Sequence, residues 1–348
     1  MRYVNRPAVF RDPAAQHPES FLRLNYLSKA QFESHCKQYG ASVLGALAFG
    51  ARQPVLTTPE MPYAWIDMPV VEGTPVYETW TSEQSVVRET TGDIISARDP
   101  DFVVGCLHVN ADHDTEDAAR SAYNHIFSFI DGRGYPHLLR VWNYLPHINA
   151  GVADLDRYRR FCVGRHEAFT ANRRVIGENA PAASALGTRS GPLIIFFLAA
   201  RQAGRRVENP RQVSAYNYPQ QYGPRSPTFS RGMSARSADT PMLFISGTAS
   251  IIGYETVHAG DVDEQARETV ANLLAVIGEA RVNAGVSAPA NAQLWFKAYV
   301  RKPQYIAAIR DRLEHAFGSR PHVVYLHADI CRPDLLLEVE GLHVAGLA

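Results

Sequence analysis

The amino-acid sequence predicts an α+β fold with two similar halves, each a sheet that carries helices on one face. From about residue 101, strand patterns alternate with helical patterns, and the same order recurs after residue 240. Two short segments also match between these regions. Glu116-Asp-Ala-Ala-Arg120 resembles Glu264-Gln-Ala-Arg267, and Trp142-Asn-Tyr144 resembles Trp295-Phe-Lys-Ala-Tyr299.

The first 100 residues differ from the rest of the chain. They are rich in proline and in β-forming residues, and turn signals interrupt them at short intervals. We expect short strands and loops in this region, with little helix.

In the first half, periodicity predicts a strand at 102–110, a helix at 118–130, a strand at 138–145 and a helix at 155–169. Residues 112–117 supply N-cap candidates for the first helix, and Asp114 followed by Thr115 marks its start. The longest uninterrupted apolar run is Leu193–Ala200, with eight residues. This run predicts a buried strand, because a membrane span needs about 20 apolar residues.

In the second half, the same reasoning predicts strands at 242–251, 293–300, 322–326 and 335–339, and helices at 264–277 and 304–317. We expect an N-terminal half at 1–205, which includes the extra N-terminal strands and loops, and a C-terminal half at 206–348.

The charge balance excludes partners that are attracted by a strong overall field. Of 348 residues, 35 are basic and 35 are acidic, and the chain has no basic tail or Lys/Arg block. We therefore expect no nucleic-acid partner. A charged small molecule must instead be recognised by arginines inside a pocket.

Residues 1–13 contain charges and prolines where a signal peptide needs an apolar segment. Together with the lack of a membrane-spanning run, this predicts a cytoplasmic protein that binds no membrane. The four cysteines, Cys36, Cys106, Cys162 and Cys331, include no C-x-x-C pair. We interpret them as free thiols.

The sequence lacks the motifs of several common cofactor sites and hydrolases. The glycines at 187–191 and 246–250 do not form a P-loop, and neither G-x-G-x-x-G nor G-x-S-x-G is present. His108, Asp112, His113 and Asp114 match no standard spacing of metal ligands. We expect neither a metal nor an organic cofactor.

The segment 209–234 is rich in proline, tyrosine and arginine, whereas a linker is more often rich in glycine and serine. Its composition leaves two alternatives open. It is either an ordered surface loop that is packed by its tyrosines, or a loop that lines a ligand site.

The last predicted strand carries two glutamates. Glu338 and Glu340 share one face of this strand, and Leu335, Leu337 and Val339 share the other. By itself the pattern favours two surface acids on a half-solvated strand. The alternative is that one glutamate faces a cleft and donates a proton, since burial would raise its pKa.

Two sets of segments resemble known families. Residues 242–251, 264–272 and 335–340 are similar to a strand, a helix and the final strand of the RidA/YjgF fold, which is chorismate-mutase-like and whose members trimerise around clefts for small carboxylates. A longer set resembles the chorismatases, which cleave chorismate into pyruvate and a ring acid. This set comprises Arg140-Val-Trp-Asn-Tyr-Leu-Pro-His-Ile-Asn149, Phe161-Cys-Val-Gly-Arg-His-Glu-Ala-Phe169 and the run from Tyr216 to Arg231.

The chorismatase resemblance covers most of the chain from about residue 20, and it implies two RidA/YjgF-like halves that need no cofactor. It places Tyr158, Arg165, Tyr218 and Arg231 at substrate-binding positions and Glu338 at the position of the catalytic acid. Planar guanidinium groups are suited to the two carboxylates of chorismate. The acid would protonate the enolpyruvyl methylene, which weakens the ether bond and releases pyruvate.

Chorismatases differ in their products. Some hydrolyse chorismate to a dihydroxycyclohexadiene acid, some form 3-hydroxybenzoate, and others form 3- and 4-hydroxybenzoate together. Cys331 and Gly247 resemble the residues of members that form the aromatic acid, so the resemblance implies a 3-hydroxybenzoate synthase of the chorismate pyruvate-lyase type. The simpler interpretation of Cys331 is a small buried hydrophobic residue.

Two kinds of alternative remain. Within the same chemistry, the protein is a hydrolytic chorismatase or a mixed 3-/4-hydroxybenzoate former. In another class, it is a RidA-like imine deaminase or a binder of small acids. Arg165 and Arg231 discriminate between the classes, because a substrate with two carboxylates needs both arginines. We expect a monomer or a weak homo-oligomer.

Overall fold

The computed structural model describes residues 21–51, 61–152, 155–286, 292–319 and 321–345. The segment 1–13, in which we expect no signal peptide, lies outside the described residues. No helix in these ranges is long and apolar enough to cross a membrane.

The first sheet is formed by the N-terminal region. Its elements are β1 (Leu22–Leu27), α1 (Lys29–Tyr39), β2 (Val43–Gly50), β3 (Tyr63–Asp67) and β4 (Val76–Ser82). The strand order is β1-β4-β2-β3, in which β2 and β3 are parallel and the other pairs are antiparallel.

The second sheet follows directly. Its region contains β5 (Val87–Thr91), β6 (Ile94–Arg98), β7 (Phe102–Val109), α2 (Thr115–Arg133), β8 (His137–Pro146), the short pair β9 (Gly151–Val152) and β10 (Leu155–Asp156), α3 (Arg157–Ala171), α4 (Ile176–Asn179), β11 (Ala182–Thr188) and β12 (Leu193–Ala200).

The third sheet is formed by the C-terminal region. This region contains β13 (Arg205–Val207), β14 (Gly232–Ser237), β15 (Thr240–Ala249), the short pair β16 (Ile251–Ile252) and β17 (Glu255–Thr256), α5 (Val262–Asn283), β18 (Gln293–Val300), α6 (Ile306–Phe317), β19 (Pro321–His327), β20 (Asp329–Ile330) and β21 (Leu337–Val344). Strand β20 pairs with β11 and so extends the second sheet.

The second and third sheets repeat one topology, which confirms the predicted α+β class with two similar halves. The second has the order β11-β8-β12-β7-β6-β5 after its edge strand β20, and the third has the corresponding order β19-β18-β21-β15-β14-β13. In each, a helix precedes a parallel strand pair, β8 with β11 and β18 with β19. The first sheet repeats a shorter version, β3-β2-β4-β1. Sequence reasoning did not find this third copy.

The three sheets enclose one interior, and the helices lie outside it. One hydrophobic cluster takes residues from all three sheets. The ring of Trp80 on β4 lies 5.7 Å from that of Trp142 on β8 and 6.2 Å from that of Phe244 on β15. Separate clusters fill the space between the second sheet and helices α2 and α3, and between the third sheet and helices α5 and α6.

Most predicted elements are confirmed with small shifts at their ends, and helix α1 is the main omission. We expected little helix before residue 100, and α1 has only one fully buried side chain, Phe32. Its start does carry a signal, because Ser28 and Gln31 form a capping box. Helix α3 begins at Arg157 rather than Leu155, since Leu155–Asp156 pairs with β9 as β10.

Candidate active site

A cavity of about 940 Å³, counting its open mouth, lies where the second sheet meets the third. Helix α3 and strand β11 form one wall, and strands β15 and β21 form the other. All seven residues singled out from the sequence line this cavity: Tyr158, Arg165, Tyr218, Arg231, Gly247, Cys331 and Glu338. The fold therefore brings these residues to one place from three separate elements, α3, β15 and β21, and from two loops.

Glu338 reaches the cavity because of its register in the third sheet. It pairs with Ala249 on β15 and with Tyr299 on β18. Its neighbours Leu337 and Val339 pack on the opposite face, towards the helices of this sheet. Glu338 is only 4% exposed, so the expectation that it is a surface acid is wrong.

Burial raises the pKa of Glu338 from 4.5 to about 8. The negative charge of Glu340 also raises this pKa, and Arg140, Arg231 and Arg301 oppose the increase. The carboxyl group is thus protonated at neutral pH, which is the form that a general acid requires.

Gly247 makes room for this carboxyl group. The pairing of β15 with β21 is irregular between Ile245 and Thr248, and Gly247 lies in this bulge. A Cβ atom at Gly247 would lie 1.9 Å from Oε1 of Glu338. Any other residue would therefore force the glutamate to move.

The residue before Gly247 joins the two walls of the cavity. Oγ of Ser246 accepts the backbone N–H of Ala183 on β11 at 2.9 Å and donates to the carbonyl oxygen of Ser230. Its backbone N–H donates to the carbonyl oxygen of Arg231 at 3.0 Å. These bonds fix Arg231 relative to the bulge.

Arg165 projects from α3, the helix that Asp156 caps by accepting the N–H of Arg159 at 2.7 Å. The guanidinium of Arg165 is buried over the rings of Tyr123 and Phe169, at 4.8 and 5.6 Å. Its Nε and Nη2 find no hydrogen-bond acceptor among the described residues. Buried donors of this kind indicate a site for an anionic ligand, because leaving them unpaired is costly.

Arg231 supplies a second buried guanidinium. Its Nη2 donates to the carbonyl oxygen of Val213 at 2.8 Å and to the hydroxyl of Tyr218 at 2.7 Å. Its Nε has no acceptor within the part of the chain that the structure describes. Both arginines that the sequence singled out therefore line the cavity and carry a buried N–H without an acceptor among the described residues.

The segment 209–231 lines the cavity with Tyr218, Tyr222 and Phe229 as well as Arg231. It is anchored on α5, where Asn272 accepts from Nδ2 of Asn209 at 3.2 Å. The structure shows that this segment lines a cavity, and that the cavity is a ligand site stays a prediction.

The two thiols of the cavity and the hydroxyl of Tyr158 are neutral groups. Burial raises the pKa of Cys331 and of Tyr158, and it raises the pKa of Cys162 to about 12. A thiolate nucleophile is therefore not available here at neutral pH. Among Glu338, Tyr158, Cys162 and Cys331, the group whose pKa lies nearest to neutral pH is Glu338.

The loop that carries Cys331 is clamped by Arg301. Nη2 of Arg301 donates to the carbonyl oxygens of Ile330 at 3.0 Å and Arg332 at 2.9 Å. Nε of Arg301 donates to the carbonyl oxygen of Leu335 at 2.7 Å. Nδ2 of Asn149 adds a bond of 2.9 Å to the Ile330 carbonyl. The position of Cys331 is thus set by the end of β18.

Sequence reasoning missed two arginines of the cavity, Arg159 and Arg332. The Cζ atom of Arg332 lies 4.0 Å from the ring centroid of Tyr222, and its Nη1 donates to the carbonyl oxygen of Tyr254 at 2.9 Å. No motif marks either arginine, although each adjoins a residue that was singled out. With them, the lining contains four arginines and two carboxyl groups, Asp156 and Glu338.

Glu340 was also expected at the surface, and this expectation is wrong. It is 1% exposed and forms ion pairs with Arg140 at 2.6 Å and with Lys297 at 2.7 Å. Lys297 also pairs with Glu78 of the first sheet. The four charged side chains form a neutral network in the interior shared by the three sheets.

No group of three His, Cys, Asp or Glu side chains within the described ranges is arranged to hold a metal ion. His108, Asp112, His113 and Asp114 are thus not assembled into such a cluster. Asp114 instead caps α2 by accepting the N–H groups of Glu116 and Asp117, as the sequence predicts.

Known proteins resemble this chain over most of its length. Residues 78–199 match the family model described as chorismatase FkbO/Hyg5-like, N-terminal. A chorismatase from Streptomyces rapamycinicus is 39% identical, over 76% of this chain and 81% of that protein. A 3-hydroxybenzoate synthase from Streptomyces hygroscopicus is 34% identical, over 87% of this chain and 92% of that protein. The chain belongs to the chorismatase family.

A crystal structure of a chorismatase extends this likeness to the fold. It covers 94% of this chain and 99% of its own, with a TM-score of 0.85 and 30% sequence identity. The chorismatase fold therefore includes the first sheet as well as the two larger ones. As a member of the chorismatase family, the protein is an enzyme, and the cavity between its second and third sheets is the candidate active site.

Proposed function

We propose that this enzyme converts chorismate into 3-hydroxybenzoate and pyruvate, with Glu338 as the general acid. The observation that carries the proposal is a buried carboxyl group, protonated at neutral pH, in a cavity that four arginines line. The 3-hydroxybenzoate synthase that is 34% identical to this chain supports this choice of substrate and product.

Arg165 and Arg231 bind the two carboxylates of chorismate. Each has a buried N–H without an acceptor among the described residues, and each is fixed by aromatic rings. A hydrogen bond to a charged group contributes about 1.5–3 kcal/mol, so each arginine contributes about 10- to 150-fold to binding. Tyr158 and Tyr218 pack against the ring and direct their hydroxyls to its oxygen atoms.

Glu338 gives its proton to the terminal methylene carbon of the enolpyruvyl group. A C–H bond forms there, and positive charge develops on the carbon that bears the ether oxygen. A hydroxyl group adds to this carbon and forms a hemiketal, and its proton passes to the ether oxygen as the bond between that oxygen and the carbon breaks. Pyruvate departs, and the ether oxygen remains on the ring as a hydroxyl group.

The aromatic product requires that the ring lose its C4 hydroxyl before pyruvate departs. The C4 hydroxyl leaves and supplies the oxygen that adds to the enolpyruvyl carbon, and the ring proton at C3 returns to Glu338. The two products then contain all the atoms of chorismate, and no net water is consumed. When water supplies that oxygen instead, the product is the dihydroxycyclohexadiene acid.

The apolar part of the lining strengthens these steps. Phe161, Phe229, Ile251 and Leu335 line the cavity and limit the water in it, so charges inside interact more strongly than in bulk solvent. A proton donor contributes about 10²- to 10⁴-fold to the rate. Orientation of the substrate by the arginines supplies much of the remainder.

Cys331 and Gly247 determine which product forms. Both line the cavity, and Gly247 allows Glu338 its place there. Cys331 contributes a small neutral side chain that keeps water from the ring, so loss of the C4 hydroxyl competes with hydrolysis.

The proposal is tested by incubating the purified protein with chorismate and measuring pyruvate and aromatic acids. We expect equal amounts of pyruvate and 3-hydroxybenzoate. The variant Cys331→Ala should raise the share of the diol acid, whereas Cys106→Ala, which removes a buried thiol outside the cavity, should not.

Other outcomes select the alternatives. Pyruvate with the diol acid alone identifies a hydrolytic chorismatase, and a mixture of 3- and 4-hydroxybenzoate identifies the mixed type. If no pyruvate is released, the proposal is wrong, and a small-acid binder or an imine deaminase is favoured. The cytoplasmic location and the monomeric or weakly associated state stay predictions.

A further inference from the structure

We propose that Glu340 is a positioning residue for the reaction, a permanently charged carboxylate that keeps Glu338 in its neutral, proton-donating form. The inference rests on the proposed role of Glu338 as the general acid. It assigns a function to the buried charge network, which the mechanism above does not use.

The two glutamates are close because of strand geometry. They are two residues apart on β21, so they share its inner face, and their Cα atoms are about 7 Å apart. Both are almost completely buried. Two carboxylates carried by such neighbouring positions of one buried strand face cannot both be charged without a large cost.

The surrounding groups decide which of the two carries the charge. Oε2 of Glu340 lies 2.6 Å from Nη2 of Arg140, and its Oε1 lies 2.7 Å from Nζ of Lys297. Nε1 of Trp142 donates to Oε1 at 2.8 Å, and the hydroxyl of Ser184 donates to Oε2. Although burial by itself raises the pKa of Glu340, Lys297 and Arg140 lower it to about 2.

Burial is the largest cause of the raised pKa of Glu338, and the charge of Glu340 adds to it, whereas nearby arginines act in the opposite direction. Arg140 on β8, Arg231 before β14 and Arg301 after β18 all favour the charged form of Glu338. Tyr299 on β18, Tyr158 on α3 and Cys331 are neutral, because burial raises the pKa of each. Among the charged groups with the largest effects on Glu338, the three arginines lower its pKa and Glu340 raises it.

The network also reaches the cavity wall. Ser184 lies on β11 and lines the cavity, and its Oγ accepts from Nη2 of Arg140 at 2.8 Å while it donates to Glu340. Glu340 is thus held in place from the second sheet as well as from its own. The second and third sheets together therefore fix the distance between Glu340 and Glu338.

The test compares two double variants, Glu340→Gln with Lys297→Met, and Glu78→Gln with Lys297→Met. Each removes one carboxylate and the same lysine, so the formal charge of the network stays zero in both variants. Loss of Glu340 and Lys297 leaves Arg140 and Glu78 without their ion-pair partners, whereas loss of Glu78 and Lys297 leaves Arg140 paired with Glu340. They differ in which carboxylate remains. The protonated carboxyl of Glu338 is followed by its infrared carbonyl band, assigned as the band that Glu338→Gln lacks, during a pH titration.

In the wild type and in the variant that lacks Glu78, we expect the band to disappear near pH 8. In the variant that lacks Glu340, it should disappear about 1–2 pH units lower, from the Coulomb interaction over about 7 Å at an effective dielectric constant of about 20. The upper pH limit of pyruvate release should move by the same amount. A purely structural role would lower stability in both variants without this difference.

Equal titration of Glu338 in the two double variants would overturn the inference. This outcome differs from a failure of the proposed function, in which Glu338→Gln itself would release pyruvate at the wild-type rate. If the variant that lacks Glu340 does not fold, Glu340→Gln alone is titrated with the same band and the same criterion.

Discussion

Glu338 and Glu340 differ in chemistry although they are two residues apart on one strand face. Glu340 has two cations within 2.7 Å, and Glu338 has a cavity beside it. The sequence pattern predicts correctly that they share a face. It cannot predict their burial, because the residues that cover this face belong to strands β4 and β8, far earlier in the chain.

The close approach of Gly247 and Glu338 leads to a testable prediction. In Gly247→Ala, the added Cβ would lie 1.9 Å from Oε1 of Glu338, so the carboxyl group must leave its place. We expect kcat for pyruvate release to fall by at least about 10-fold, since proton transfer depends on the donor's position.

Gly278→Ala is a suitable control for this variant, because apart from its chain neighbours and the nearby backbone of its own helix no atom lies within 4 Å of the position of its added Cβ. It should keep the wild-type rate. Wild-type turnover by Gly247→Ala as well would contradict the requirement for a glycine in the bulge.

The packing of helix α3 on helix α2 positions Arg165. A Cβ atom at Gly164 would lie 1.9 Å from the carbonyl oxygen of Glu116, so the two helices touch at this glycine. The adjacent Arg165 is fixed over Tyr123, which belongs to α2. The register of the two helices therefore sets the position of the guanidinium.

Gly164→Ala should separate these helices. Overpacking of this kind costs about 1–3 kcal/mol, so we expect the free energy of unfolding in urea to fall by that amount. Gly278→Ala, in the middle of α5, meets no neighbour and should raise it by about 0.5–1 kcal/mol. Equal effects of the two substitutions would show that the helices are not in close contact at Gly164.

Elements with many buried side chains were predictable, and the others were not. The fully buried strand Leu193–Ala200 and the long helices α2 and α5 follow from apolar periodicity. Helix α1 has one fully buried side chain, so its apolar periodicity is weak. Arg159 and Arg332 have no sequence signal, because their place at the cavity depends on α3 and on the loop that Arg301 clamps.

The whole molecule consists of three related sheets around one interior. The third copy escaped sequence analysis because it is short and has only α1 as a helix among its described residues. We propose that the boundary between the two larger halves lies near residue 205, where β13 begins the third sheet. The charge network crosses this boundary through the ion pair of Arg140 with Glu340.

Arg140→Met tests how the network holds the sheets together. It leaves Glu340 with one cation fewer in the interior, and removal of one partner from a buried pair costs about 3–5 kcal/mol. We expect that loss in urea denaturation. Arg23→Met, which breaks the exposed pair with Glu83, should cost less than about 1 kcal/mol. Equal losses in both variants would contradict the role of the network.

The central claim is that Glu338 protonates chorismate in the cavity between the second and third sheets. The most direct measurement is the rate of pyruvate release from chorismate by Glu338→Gln, which keeps the shape of the side chain and removes the proton. We predict a rate about 10²- to 10⁴-fold below that of the wild type, with the fold intact by circular dichroism. A rate within a few-fold of the wild type would contradict the account.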